Sequence, residues 1–204
     1  MAKRAPLDEA RVIAVALEVL DEVGFDGVTV RRIAARLGVA NPALYWHFRS
    51  KAEIIDRMAS QLLAGAVVAP RPPREWRRFL LDTARAFRRA MRSRREGARL
   101  LASANMADNQ MSEAVRRSVD LLAEAGFRRD DALVGIVALV DYTLGATYEE
   151  QTDPVSNDRG GGGDRMFEGG LALLLDGLAQ RRRRVEAPPR TRRRPPARRA
   201  PRKP

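Results

Sequence analysis

The chain holds a single imidazole, His47, and no thiol. Disulfides, thiolate metal sites and cysteine nucleophiles are excluded, and a serine–histidine relay or a metal-activated water would have to be built on His47 alone. Other groups with catalytic potential are badly spaced for it. Asp130-Asp131 and Glu149-Glu150 are adjacent in sequence, so neither pair shares one helical face, and solvated surface is the better reading. Gly160–Gly163 lacks the Gly-Lys-Ser/Thr ending of a phosphate loop and any preceding strand, so it reads as a linker. His47 itself sits in Tyr45-Trp46-His47-Phe48, four consecutive rings that cannot all face one core. With Leu44 and Phe48 four apart and anchored inward, Tyr45, Trp46 and His47 are left partly exposed. There a phenol, an indole N–H and an imidazole can meet phosphates, sugars or base edges. This is binding chemistry: the expectation is no enzyme, no cofactor and no metal.

The elements that must present these rings are helical. Residues 7–24 read as a helix, with Ile13, Leu17 and Leu20 on one face, Asp8 and Glu9 at the positive end of its dipole, and Gly24 as a left-handed cap. Thr29 is the predicted N-cap of a second helix that Gly38 stops after Leu37. Asn41 then caps a short helix over 42–47 with Pro42 in its first position. A helix, a glycine turn and a short second helix form a helix-turn-helix, whose second helix enters the major groove of DNA. Between Gly27 and Ala52 there are five cations, Arg31, Arg32, Arg36, Arg49 and Lys51, and no acid, which suits a surface facing phosphates.

Ser50 with Glu53 forms a capping box that opens a connecting helix to Val68, and Pro70, Pro72 and Pro73 then mark a boundary. The body beyond is predicted all-α, with helices near 74–92, 96–102, 110–125, 130–150 and 166–182, and a flexible linker at 151–165. The expected organisation is therefore a DNA-binding head at 1–50, a connecting helix at 51–68, a ligand-binding and dimerisation body at 69–182, and an Arg/Pro-rich tail at 183–204 that is expected to stay disordered. Of the net charge of +12, residues 181–204 account for +11, with twelve cations against Glu186. The high net charge thus belongs to the tail and says little about the folded body. A nonspecific nucleic-acid-binding or architectural protein acting through this tail is the alternative reading. No signal peptide opens the chain, and no stretch approaches the roughly 18 apolar residues of a membrane span, so a cytoplasmic protein without membrane contact is expected.

The run Leu37-Gly38-Val39-Ala40-Asn41-Pro42-Ala43-Leu44-Tyr45-Trp46-His47-Phe48, followed by Lys51, resembles the recognition segment of the tetracycline-repressor (TetR) family. Similarity extends through Gly24-Phe25-Asp26-Gly27 upstream and, more loosely, through Trp76, Phe79-Leu80, Gly126-Phe127 and Tyr142-Thr143-Leu144-Gly145. The resemblance implies a repressor released by a small-molecule inducer. It also implies contacts to double-stranded operator DNA from Arg31, Asn41, Pro42, Ala43, Tyr45, Trp46 and His47, with Thr29 and Lys51 on phosphates.

One short helix reads only a few base pairs, so specificity calls for a homodimer on a palindromic site with its helices about one DNA turn, roughly 34 Å, apart. The resemblance assigns dimerisation to the helices at 130–150 and 166–182. Periodicity nominates Leu133, Val137, Val140, Leu171, Leu174 and Leu178 for that interface or for the chain's own core. The resemblance further implies an effector pocket whose occupation swings the helix at 51–68. Thr83, Phe87, Asn105 and Glu149 retain or approximate pocket positions. Leu101 stands where tetracycline recognition requires a metal-coordinating histidine, and Val67 where a second histidine lies. Magnesium-bound tetracycline is therefore not the expected effector; an unidentified, largely apolar small molecule is.

Overall fold

The structure, a computed structural model, describes residues 8–66, 68, 69, 71–105, 110–153 and 162–186. Val67, the centre of the expected linker and nearly all of the tail lie outside the described residues. Among those described, every regular element is helical.

The head is built from short helices whose ends are set by local chemistry. Helix α1 (Glu9–Val23) starts where the Asp8 carboxylate accepts from the Arg11 N–H at 2.7 Å, and buries Val12, Ile13, Ala16, Leu17, Val19 and Leu20. It ends at Gly24, whose φ of 76° lies on the positive side that favours glycine but whose ψ of 174° lies far from the left-handed helical well, so the cap is not the left-handed helical one expected. After a tight turn at Phe25–Gly27, the Thr29 hydroxyl accepts from the Arg32 N–H at 3.2 Å and opens α2 (Val30–Leu37). Gly38 closes α2 in the left-handed region, φ 66° and ψ 36°, where a side chain would be strained.

Helix α3 (Asn41–Leu44) departs from expectation at both ends. Ala40 rather than Asn41 is the cap, and Pro42 is the second helical residue, where its missing N–H still costs nothing. The helix stops after one turn, and the chain continues with tighter bonds, Tyr45 N–H to Pro42 O at 3.2 Å and His47 N–H to Leu44 O at 3.0 Å. Helix α4 (Lys51–Ala64) opens with the Ser50 hydroxyl accepting from Glu53 N–H at 3.2 Å. The Glu53 carboxylate reaches back one residue further than a capping box requires, to Arg49 N–H at 2.7 Å.

The body comprises α5 (Trp76–Arg92), α6 (Gly97–Ser103), α7 (Gln110–Glu124), α8 (Arg129–Thr152) and α9 (Gly162–Glu186). Helix α9 begins earlier than periodicity predicts and runs four residues beyond 182. Its first turn carries Asp164, which pairs with Arg88 at 2.7 Å and lies well for the helix dipole.

Two apolar clusters hold the chain together. The first joins α1–α4 to Phe87 and Met91 of α5 and to Ala98, Leu100 and Leu101 of α6, so the core runs on across the proline boundary. The second packs α5, α7, α8 and α9 around Leu80, Leu122, Ile136, Leu139, Leu171 and Leu175. Charged contacts reinforce the junction: Arg94 meets Asp21 at 2.5 Å, and Arg99 meets Asp26 at 2.7 Å while lying over the Phe25 ring. The Gln151 amide of α8 donates to Arg94 O at 2.9 Å and accepts from Ala98 N–H at 2.9 Å, locking the α5–α6 corner. At that corner Gly97 is buried, and a Cβ there would run into the Met91 carbonyl. Gly97→Ala is expected to lower stability by about 1–3 kcal/mol in urea denaturation; an unchanged midpoint would show that the corner can open freely.

Helix α8 is long and apolar enough, by length and composition, to cross a membrane, which the sequence reading did not anticipate. Its apolar residues are divided between two faces of a packed helix. Ala132, Ile136 and Leu139 are buried in the second cluster, while Leu133, Val134 and Val137 are exposed on the other side.

Candidate nucleic-acid interface and ligand cavity

Leu44 and Phe48 are each 1% exposed, so α3 and the turn after it are pinned to the head by two side chains four residues apart. The residues between them are forced outward. Trp46 is 88% exposed and Tyr45 56%, two adjacent large rings whose exposed surface suits contact with a partner. Asn41 and Pro42 are exposed beside them, and Ala43 and His47 are half-buried. Thr29, Arg31 and Lys51 are exposed. The predicted DNA-contacting residues thus belong to one α2–turn–α3 unit and the start of α4.

The cations of this unit are not equivalent. Arg36 is turned back onto α1, bonded to Glu22 at 2.6 Å and near Glu18 at 3.7 Å, and its hydrogen bond holds the Glu22 carboxyl below the usual carboxylate range. One guanidinium nitrogen of Arg32 reaches Gly27 O at 3.4 Å. Lys51 lies 6.0 Å from the centre of the Phe25 ring, at the limit of a cation–π contact. The Arg31 side chain, by contrast, makes no hydrogen bond or ion pair with any described residue. Its five donors are available to a ligand, and its fork suits a guanine edge or a phosphate.

Behind the head lies a partly open cavity of about 450 Å³ lined by residues of α4, α5, α7 and α8 and by Ala66 just after α4. Thr83 and Phe87 line it, as does Val140, which periodicity nominates for the dimer interface or the chain's own core. The other pocket candidates lie elsewhere. Leu101 is buried in the first apolar cluster, Asn105 is exposed with its N–H on the Asp56 carboxylate at 2.7 Å, and Glu149 is exposed on α8. Sequence reasoning missed Leu63, Ala66, Ala84, Glu113, Arg117 and Leu139. The aliphatic ones read as plain core, and the charged ones as solvated helix surface. The Thr83 hydroxyl donates to Phe79 O at 2.8 Å, so it presents only acceptor capacity to the cavity.

The remaining interface candidates separate by burial. Leu171 and Leu178 are 0% and 5% exposed within the chain's own core, whereas Leu133 and Val137 are exposed at 47% and 43%. Leu174 lines a groove between α8 and α9 with Val134, Ala138 and Leu173. Leu173, which periodicity did not nominate, is 75% exposed. A contiguous apolar strip therefore covers the outer side of α8 and α9.

Residues 12–58 match the family described as bacterial regulatory proteins, tetR family, and residues 69–161 match the tetracyclin repressor-like C-terminal domain. The class A tetracycline repressor protein from transposon 1721 of Escherichia coli is 41% identical over 204 residues, spanning 87% of this chain and 94% of the relative. Among solved structures, a single-residue variant of TetR from Acinetobacter baumannii AYE in complex with minocycline superposes with a TM-score of 0.77 at 35% identity, over 87% of this chain and 99% of the other. BioQ with its natural double-stranded DNA operator gives a TM-score of 0.72 at 30% identity, over 86% and 99%.

Proposed function

The chain belongs to the tetracycline-repressor family and is a sequence-specific DNA-binding transcriptional regulator, not an enzyme; from this premise we propose that it is a cytoplasmic repressor that grips a palindromic operator as a homodimer and releases it when a largely apolar small molecule fills the cavity behind the head. The observation that carries the reading is the exposed pair Tyr45 and Trp46, on a turn nailed down by Leu44 and Phe48, together with Arg31 on the preceding helix, whose side chain pairs with no described residue. Binding of an operator by BioQ lends the fold a precedent. Footprinting over the DNA upstream of the chain's own coding sequence should protect one short inverted repeat. Equal retardation of unrelated duplexes at the same salt would count against it and in favour of nonspecific phosphate binding.

The homodimer is supported by the apolar strip of Leu133, Val134, Val137 and Leu173. Pairing α8 and α9 with their copies in a second chain would bury it in a four-helix bundle. Val137→Glu combined with Leu173→Glu alters only exposed positions, so the fold should persist. The variant is expected to run at monomer mass in light scattering and to lose about 10²–10⁴-fold in operator affinity, the value of linking two heads. A dimer that survives both charges would move the interface elsewhere.

An apolar effector is supported by the cavity lining of Leu63, Ala66, Ala84, Phe87, Leu139 and Val140. The only histidine of the chain is His47, in the head, so no imidazole is available to coordinate magnesium beside a tetracycline.

A further inference from the structure

Taking the cavity as the effector site, we infer that its ligand is an amphipathic organic anion, an apolar body carrying one carboxylate-like group that docks on Arg117. The inference rests on that reading of the cavity and adds the ligand's charge. Among the described lining residues only Thr83, Glu113 and Arg117 bring polar side chains. The Thr83 hydroxyl proton is already committed to Phe79 O. Glu113 is engaged by its neighbour on α7: its carboxylate accepts from Arg116 Nε at 3.1 Å and from a terminal nitrogen of Arg116 at 2.8 Å. Arg117 has no such partner. No described residue accepts from it or pairs with it, although it lines the same cavity one turn from Glu113.

Among the described residues the cavity is therefore an apolar chamber with one uncommitted cation, the exposed Arg117, at its edge. A neutral ligand would leave that guanidinium to water and draw nothing from it. A carboxylate or sulfonate offers two coplanar or near-coplanar oxygens to the guanidinium fork, a charge-assisted pair that gains strength as the apolar body excludes water. A cavity of about 450 Å³ lies within the range that small-ligand sites occupy. A second negative charge on the ligand would meet Glu113, which favours a monoanion.

The test uses two fluorescent dyes that differ by one sulfonate group, 1-anilinonaphthalene-8-sulfonate and its uncharged parent N-phenyl-1-naphthylamine, titrated into the full chain. Arg117→Met is expected to weaken the sulfonate about tenfold or more while leaving the neutral dye within about twofold. Retention of the neutral dye also reports that the cavity is still formed. Ala66→Phe, which fills the chamber from its half-buried side, should weaken both dyes. If Ala66→Phe weakens both but Arg117→Met spares the sulfonate, the charge inference is wrong and the cavity reading stands. If Ala66→Phe changes neither, the dyes do not enter the cavity, and the effector-site reading falls together with the inference.

Discussion

Arg31→Ala should lower operator affinity by about 2–6 kcal/mol, at least roughly 30-fold and up to about 10⁴-fold, without moving the melting temperature. A bidentate guanidinium–base pair discriminates by about 1–3 kcal/mol, and a homodimer carries the residue twice. The absence of a side-chain partner among the described residues makes the prediction clean. Truncating Arg36 would strip Glu22 and Glu18 of their counterion and mix stability with binding, whereas the Arg31 side chain forms no hydrogen bond or ion pair with a described residue. Fluorescence anisotropy on the operator and on an unrelated duplex, at one fixed salt concentration, measures it. The loss should fall on the operator and spare the unrelated duplex. A uniform loss on both would reassign Arg31 to phosphates, the behaviour expected of Lys51→Ala instead.

The second large effect lies in the body. Arg88 is 7% exposed, bonded to Glu150 at 2.8 Å and to Asp164 at 2.7 Å, with its guanidinium 4.3 Å over the Phe167 ring. It thereby joins α5, α8 and the start of α9. Close by, Arg85 donates twice to Glu168, at 2.9 and 2.7 Å, and this hydrogen-bonded pair holds the Glu168 carboxyl below the usual carboxylate range. Glu150→Ala removes the more buried of Arg88's two acids and leaves a guanidinium in the core with only the exposed Asp164. Breaking a buried pair in this way costs about 3–5 kcal/mol, and the remaining acid places this case near 3. For a chain of this size the thermal midpoint should fall by roughly 10 °C. The double variant Arg88→Met with Glu150→Leu should be milder than Glu150→Ala alone, because apolar side chains of similar volume need no counterion. A double variant at least as destabilised as the single one would mean that cation–ring packing on Phe167, not charge pairing, holds this junction.

These two arginines also mark how far sequence reasoning reaches. The acid-free stretch around Arg31 already marked it as a DNA contact, but nothing in spacing or neighbours marked Arg88, which the fold seals in the body. The partners that decide this come from far along the chain: Glu150 lies 62 residues from Arg88. The same holds for the apolar faces. Periodicity locates the stripe on α9 but does not say that Leu171 and Leu178 meet α8 of their own chain while Leu173 points to solvent. It places Val140 on an apolar face without saying that this face lines a cavity. Arg117 stays exposed, but only the packing of α4, α5 and α8 beside its helix sets it at the mouth of a cavity.

What the sequence determined by itself is whatever is settled within a few residues. Asp8, Thr29 and Ser50 cap their helices because a side-chain oxygen reaches an N–H three residues on, and Gly38 ends α2 because it alone tolerates the left-handed turn. The exposure of Trp46 was legible for the same reason: four consecutive rings cannot share one face, and Leu44 and Phe48 take the inward one. Only the tertiary structure decided which cations stay free to meet DNA or a ligand and which leucines close the core. Those outcomes depend on which helix packs against which, and that geometry arises from the sum of contacts over the whole chain rather than from any one window of it.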